Sequence, residues 1–187
     1  MKKNKAVFWD RDGIINKIKV KNGKSLSPRI FSDFKVFPFI KNILIETQSL
    51  GYLNIIFTNQ PDISRLLMDP SELKLMHEFL ERNFAISKIY TCPHSDEDNC
   101  DCRKPLPGML ISALKEFSLN SEECYVVGDR ITDIIAGDLA CVKHLYLLEK
   151  NYSYNCYSKN QMPTFKTISS VKDIPNIIKA NHDKNFC

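Results

Sequence analysis

Short apolar runs alternate along this chain with segments in which apolar positions recur at helical spacing. Apolar runs without alternating polar residues are typical of strands that are buried on both faces of a parallel sheet. We predict strands at residues 5–9, 52–58, 89–91, 124–127 and 144–148, and helices at residues 38–50, 69–84, 108–117 and 131–141. This alternation of strands and helices predicts an α/β fold with a mostly parallel sheet flanked by helices.

Two of the predicted helix ends carry recognisable end signals. Asp69 precedes Pro70, which fits an N-cap residue followed by proline at the first helical position. Gly51 follows the first predicted helix, where glycine often caps a carboxyl end. These signals fix the start of one helix and the end of another.

The length and composition are those of one globular domain. The chain has 187 residues, of which 43% are hydrophobic and 26% charged, enough for a well-buried core. We therefore predict a single domain over residues 1–187, without assigning a structure to residues 151–162 or a role to the tail at 151–187. We also expect a monomer.

The N-terminus and the charge distribution indicate a cytoplasmic protein. Only four apolar residues separate the basic start from Asp10, too few for a signal peptide or a membrane span. The net charge of +4 comes from lysines spread along the chain, which is typical of solvated surface. We expect no membrane association, and nucleic acid is not an expected partner.

Polar residues follow the predicted strands at the points where these strands end. The carboxyl ends of parallel strands form one edge of a sheet, and ligands bind there. Carboxylates gathered at such an edge repel each other and need a cation, and a small set of oxygen ligands suits Mg²⁺. The side chains placed there are Asp10, Asp12, Thr58, Asn59, Asp129 and Asp133.

A second candidate metal site lies in the loop at residues 92–102. The loop contains Cys92, His94, Cys100 and Cys102, which is the ligand composition of closed, structural zinc sites. The alternative is a set of free thiols beside a surface histidine. We expect Zn²⁺ to stabilise this loop, because the loop has almost no apolar residues with which to build its own core.

Five motifs in order resemble the haloacid-dehalogenase-like (HAD-like) phosphatases. They are DRDGIIN, TNQ, CPH, CDCRKPLPGML and GDRITD, and they span roughly residues 6–148. Together they resemble the histidinol-phosphate and heptose-bisphosphate phosphatase branch, especially the heptose enzymes. The resemblance implies a Rossmann-like, HAD-like fold and phosphate-monoester hydrolysis through an aspartyl-phosphate.

The resemblance also implies roles for individual residues. Asp10 matches the nucleophile and a Mg²⁺ ligand, and Asp129 matches a second Mg²⁺ ligand. Asp12 matches the general acid and base, with its backbone carbonyl on the metal. Thr58 and Lys104 match the residues that hold the reacting phosphate. Asp133 is expected to orient metal-bound water.

The expected substrate is a small sugar phosphate in an open site. No segment is long enough for a large cap domain, and Arg103, Arg130 and Asn59 are candidate substrate-binding residues. Arginines suit a second phosphate, and the resemblance implies removal of the 7-phosphate of D-glycero-D-manno-heptose 1,7-bisphosphate. Two departures, Pro61-Asp62 and the lysine-rich segment 17–28, are expected to affect specificity.

Three alternatives stay open at this point. A histidinol-phosphate phosphatase has similar motifs. A nucleic-acid end phosphatase would use the lysines at 17–24, with stacking on Tyr152, Tyr154 and Tyr157. A non-catalytic zinc-stabilised binding module would not need the intact acidic residues. We expect no functional role for the remaining histidines, which are His77, His144 and His182.

Overall fold

A six-stranded, wholly parallel sheet forms the centre of the protein. The computed structural model describes residues 4–21, 24–154 and 162–184. The strand order is β5-β4-β1-β6-β7-β8. The strands are β1 (Ala6–Trp9), β4 (Leu53–Asn59), β5 (Lys88–Cys92), β6 (Tyr125–Gly128), β7 (His144–Leu148) and β8 (Lys166–Ile168).

Helices cover both faces of this sheet. One core contains buried residues of α1, α2 and α5, and the other contains buried residues of α3 and α4. Val7 and Trp9 of β1 face the first core, whereas Ala6 and Phe8 face the second, as expected for a strand buried on both sides. The helices are α1 (Ile40–Ser49), α2 (Pro70–Asn83), α3 (Gly108–Glu116), α4 (Ile131–Leu139) and α5 (Ile174–Lys184).

The predicted α/β fold, with its five strands and four helices, is confirmed within a few residues at the ends. Asp69 caps α2, and its side chain accepts a hydrogen bond from the backbone N–H of Ser71. Two features were missed. The segment 17–28 contains the antiparallel hairpin of β2 (Lys19–Lys21) and β3 (Lys24–Leu26), and the tail at 151–187 supplies β8 and α5.

In the described residues, the connections between the strands contain no large cap domain. Between β1 and β4 the chain forms the small β2–β3 hairpin and α1, and between β4 and β5 it forms α2. In the part of the chain that the structure describes, no helix is both long and apolar enough to cross a membrane.

The topology places the predicted site at the centre of the sheet. Strand β1 lies between β4 and β6, and Trp9 is in register with Ile56 on one side and Val127 on the other. The carboxyl ends of these three strands therefore meet. The polar residues that follow them come together there.

Candidate active site

Three buried aspartates meet at the carboxyl edge of the sheet. Asp10 follows β1, and its backbone N–H donates to the carbonyl of Val127 at 2.9 Å. Asp129 follows β6, and Asp133 lies in the first turn of α4, where its Oδ2 accepts from the backbone N–H of Arg130 at 3.0 Å. One carboxylate oxygen from each aspartate lies within 4.8 Å of the others. The predicted carboxylate cluster therefore forms.

The acidic cluster has the character of a cation site. Burial raises the pKa of Asp10 to about 6, an effect that Lys104 opposes and the carboxylates of Asp133 and Asp12 reinforce. Burial, with the Asp10 and Asp133 charges, also raises the pKa of Asp129. Within the described ranges, Asp129 Oδ1 is buried without a hydrogen-bond partner. A hard divalent cation such as Mg²⁺ suits one carboxylate oxygen from each of Asp10, Asp129 and Asp133, since its charge offsets the repulsion between the carboxylates.

Two glycines leave the space that these carboxylates occupy. A Cβ atom on Gly13 would lie 1.9 Å from Asp129 Oδ2, and one on Gly128 would lie 2.3 Å from Asp133 Oδ2. Gly13 also has a φ of +97°, in the region that favours glycine. Substituting either glycine would therefore push a carboxylate out of the cluster.

Lys104 supplies the cluster with one buried positive charge. Its Nζ donates to Asp10 Oδ1 at 2.6 Å and to the backbone carbonyl of Phe57 at 3.1 Å, and it lies 2.6 Å from Asp133 Oδ1. Burial alone would lower the pKa of Lys104, but the charges of Asp10 and Asp133 outweigh it and raise this pKa. Lys104 is thus a fixed ammonium beside the predicted nucleophile.

Asp12 lies in a different electrostatic environment from Asp10. Arg11 donates to both of its carboxylate oxygens, at 3.1 and 3.0 Å, and the side-chain amides of Asn16 and Gln60 each donate at 2.8 Å. Burial acts to raise the pKa of Asp12, but Arg11 and these hydrogen bonds lower it overall. Asp12 is therefore held as a carboxylate.

Thr58 and Asn59 end β4 next to Asp12 and Lys104. The hydroxyl oxygen of Thr58 accepts from Gln60 Nε2 at 2.8 Å. The Asn59 amide bonds both backbone groups of Lys104, donating to its carbonyl and accepting from its N–H at 3.1 Å each. Asn59 thus positions Lys104, and its predicted contact with substrate stays a prediction.

The four predicted zinc ligands converge. A tetrahedral site with ordinary zinc bond lengths has S–S edges of about 3.8 Å and N–S edges of about 3.6 Å. Cys100 Sγ lies 3.7 Å from Cys92 Sγ and 3.6 Å from Cys102 Sγ. His94 Nδ1 lies 3.5 Å from Cys92 Sγ and 3.3 Å from Cys102 Sγ. These distances fit a closed Zn²⁺ site.

The zinc-type loop leads directly into the candidate active site. Arg103 Nη1 donates to the backbone carbonyl of His94 at 3.2 Å, and its Nε donates to Asp96 at 2.7 Å. The following residue is Lys104. The loop therefore fixes the position of Arg103 and Lys104. Both residues line a cleft of about 360 Å³, together with Asp10, Asp12, Thr58 and Arg130.

Relatives with this sequence pattern are phosphatases. Residues 101–169 match the family model of HAD-hydrolase-like proteins. The chain is 34% identical to the D-glycero-beta-D-manno-heptose-1,7-bisphosphate 7-phosphatase of Helicobacter pylori, over 89% of this chain and 96% of the relative. It is 33% identical to the D-glycero-alpha-D-manno-heptose-1,7-bisphosphate 7-phosphatase of Campylobacter jejuni, over 95% of this chain and 97% of the relative.

This chain belongs to the HAD-like heptose-bisphosphate phosphatase family. It is therefore a phosphoric monoester hydrolase.

A solved structure supports the fold of this HAD-like phosphatase. The D,D-heptose 1,7-bisphosphate phosphatase from B. bronchiseptica, complexed with magnesium and phosphate, superimposes with a TM-score of 0.78. The alignment covers 95% of this chain and 99% of the other, at 19% identity. The expected Rossmann-like, HAD-like architecture without a large cap is thereby confirmed.

Several residues of this phosphatase site were not predicted from the sequence. Gln60 lies within the TNQ motif, but its bridge between Asp12 and Thr58 has no separate sequence signal. Tyr152 Oη donates to Asp129 Oδ2 at 2.7 Å, and Ser153 Oγ donates to the Asp129 carbonyl at 2.7 Å. These two residues lie in the tail at 151–187, where Tyr152 was considered only as a stacking residue for nucleic acid.

Tyr152 is not available for the stacking that a nucleic-acid end phosphatase would use. The side chain of Tyr152 is buried against Asp129, and Tyr157 lies outside the described residues.

His77 is more than an ordinary helix residue, because its Nε2 lies 3.1 Å from Arg11 Nη1. Burial and the Arg11 charge lower the pKa of His77 to about 3.

Proposed function

We propose that this phosphatase removes the 7-phosphate of D-glycero-D-manno-heptose 1,7-bisphosphate with the help of Mg²⁺. The names of the relatives support the substrate. The observation that carries the chemistry is the position of Asp10, between Lys104 and a buried carboxylate oxygen of Asp129 that has no partner among the described residues. We further propose that a monomer acts in the cytosol, where reduced cysteines are stable.

Asp10 is the nucleophile in this proposal. Its carboxylate attacks phosphorus, the bond from phosphorus to the sugar oxygen breaks, and an aspartyl-phosphate forms. Lys104 and Thr58 hold the equatorial phosphoryl oxygens, on which charge is spread in the transition state. The buried position of both groups strengthens these contacts, because little water competes with them.

Asp12 transfers protons in both half-reactions. It gives a proton to the leaving sugar oxygen, and the resulting carboxylate then takes a proton from the water that hydrolyses the aspartyl-phosphate. Arg11, Asn16 and Gln60 favour the carboxylate needed in the second half-reaction. A phosphate dianion in the cleft raises the pKa of Asp12 by like-charge repulsion, which favours the protonated form needed in the first.

The two metal sites have separate tasks. Asp10 and Asp129 would hold Mg²⁺, with Asp133 beside them, and bound Mg²⁺ supplies positive charge next to the phosphate. Cys92, His94, Cys100 and Cys102 would hold Zn²⁺ for structure only, since four protein ligands leave no position for water. The loop then keeps Arg103 and Lys104 in place.

The test is Mg²⁺-dependent phosphate release, measured as kcat/KM on both anomers of the heptose bisphosphate and on histidinol phosphate. We expect kcat/KM for one heptose anomer to exceed that for histidinol phosphate about 100-fold. This corresponds to about 3 kcal/mol from charge-assisted hydrogen bonds to the second phosphate. Asp10→Asn should abolish turnover. Equal rates on all three esters would contradict the substrate, and an active Asp10→Asn variant would contradict the nucleophile.

A further inference from the structure

Five charged residues of alternating sign follow one wall of the cleft. Arg29 Nε lies 2.6 Å from Asp62, and Asp62 lies 3.8 Å from Arg65. Arg65 in turn lies 3.9 Å from Asp96, which pairs with Arg103 at 2.7 Å. We call these five residues the arginine wall. Arg29, Asp62, Arg65 and Arg103 line the same cleft as Asp10.

Three separate segments build this wall. Arg29 follows the β2–β3 hairpin, and Asp62 and Arg65 lie in the loop after β4. Asp96 lies in the zinc-type loop, and Arg103 directly follows this loop. The two departures from the family pattern reach the same cleft, because Ser27 of the segment 17–28 and Pro61-Asp62 all line it. Because Asp62 lies between two arginines, its negative charge is compensated and does not repel an anionic substrate.

Arg29 and Arg65 have hydrogen-bond donors that no described residue uses. In the described residues, Arg29 uses only its Nε in a side-chain hydrogen bond. The two ion-pair distances of Arg65 are too long for hydrogen bonds. The side chains of Arg29 and Arg65 are each 46% exposed, whereas that of Arg103 is 18% exposed. Arg29 and Arg65 can thus reach a ligand in the cleft.

We propose that Arg29 and Arg65 bind the phosphate that the enzyme does not remove. This inference rests on the proposed function for the identity of the substrate. Three arginines against two aspartates leave the wall with a net positive charge, and guanidinium groups bind phosphate through paired N–H donors. The 2.6 Å ion pair with Asp62 holds the Arg29 guanidinium in position, so fewer of its rotamers have to be fixed when the substrate binds.

The competing explanation is purely structural, with Arg29 and Arg65 only tying loops together. The two explanations differ in how they depend on the substrate. A binding role affects only substrates that carry the second phosphate, and it raises KM. A structural role affects every substrate equally.

The experiment compares Arg29→Gln and Arg65→Gln with wild type on two substrates, the heptose 1,7-bisphosphate and the heptose 7-phosphate. Each substitution should lower the ratio of kcat/KM for bisphosphate over monophosphate about tenfold, as expected for a hydrogen bond to a charged group. This loss should appear as an increase in the KM for the bisphosphate, with little change in kcat. Arg82→Gln is the matched control, because Arg82 pairs with Glu78 on α2 and does not line the cleft.

Parallel losses on both substrates, or no loss on either, would overturn the inference. Failure of the proposed substrate gives a different result, namely a wild-type enzyme that does not turn over either heptose ester. In that case fructose 1,6-bisphosphate and fructose 6-phosphate replace the heptose pair. An unchanged ratio in both arginine variants with these probes also overturns the arginine assignment.

Discussion

Replacing Lys104 by methionine tests the electrostatic balance of the site directly. Lys104 is buried and contacts Asp10 and Asp133 at 2.6 Å each. It is the partner of two carboxylates in a cluster of three, and methionine keeps most of its length and volume. The substitution therefore removes a charge with little change in packing.

The structure sets the size of the effect. Removing one partner of a buried ion pair typically destabilises a protein by about 3–5 kcal/mol, because a charge is left without compensation. We expect a loss near the lower limit without Mg²⁺, because protonation of Asp10, with its pKa of about 6, relieves part of the repulsion. Loss of a preorganised contact to the transition state should also reduce kcat by about 100- to 1,000-fold.

Urea unfolding of the zinc-loaded protein, without added divalent cation and with saturating Mg²⁺, measures the first effect, and phosphate release measures the second. Mg²⁺ should stabilise Lys104→Met more than wild type, because the divalent cation replaces part of the lost charge. Lys115→Met, at an exposed position on α3, is the control. A Lys104→Met enzyme with near wild-type kcat and unchanged unfolding would refute this electrostatic account.

Three further predictions concern other parts of the molecule. Cys100→Ser should release Zn²⁺, detected by metal analysis, and reduce kcat/KM because Lys104 loses its support; full activity without zinc would contradict this. Tyr152→Phe should weaken Mg²⁺ binding about tenfold, as loss of a hydrogen bond to a metal ligand does, with a Mg²⁺ titration of activity as the measurement and an unchanged titration as the contrary result. His77 keeps its neutral form when folded and takes up a proton when unfolded below about pH 6.5. Wild type should therefore lose about 1 kcal/mol of unfolding free energy relative to His77→Gln between about pH 7.5 and about pH 5.5, and parallel urea-unfolding curves for the two proteins would contradict this.

The sequence was most informative where local pattern and sheet topology agree. Unbroken apolar runs identified the central strands, because strands buried on both faces have no polar side. Once a parallel sheet was predicted, the residues at the carboxyl ends of β1, β4 and β6 were expected at one edge of it. The convergence of Asp10, Thr58 and Asp129 follows from this. The cysteine cluster was equally clear, since its members are close in sequence.

The sequence was least informative where contacts join distant segments. Tyr152 reaches Asp129 from the tail, and Arg29 reaches Asp62 from beyond the β2–β3 hairpin. Neither Tyr152 nor Arg29 lies in a segment with a regular hydrophobic pattern, so the local sequence does not indicate which residue it contacts. The strand β8 has three residues, two of them exposed, which makes it indistinguishable from a loop by hydrophobic pattern alone. Only the folded chain reveals these contacts.

In the proposed mechanism, the environment gives two identical side chains, Asp10 and Asp12, different tasks. Separated by one residue, they have pKa values shifted in opposite directions, that of Asp10 upward by burial and that of Asp12 downward by Arg11 and two amides. A nucleophile must be ionised and a general acid protonated, which is the reverse of this pattern. The pKa of Asp10 falls when a divalent cation is held beside it, and the pKa of Asp12 rises when a phosphate dianion lies beside it. In the proposed mechanism, metal and substrate together therefore bring the pair into its reactive protonation state, and Asp10 attacks only when both are bound.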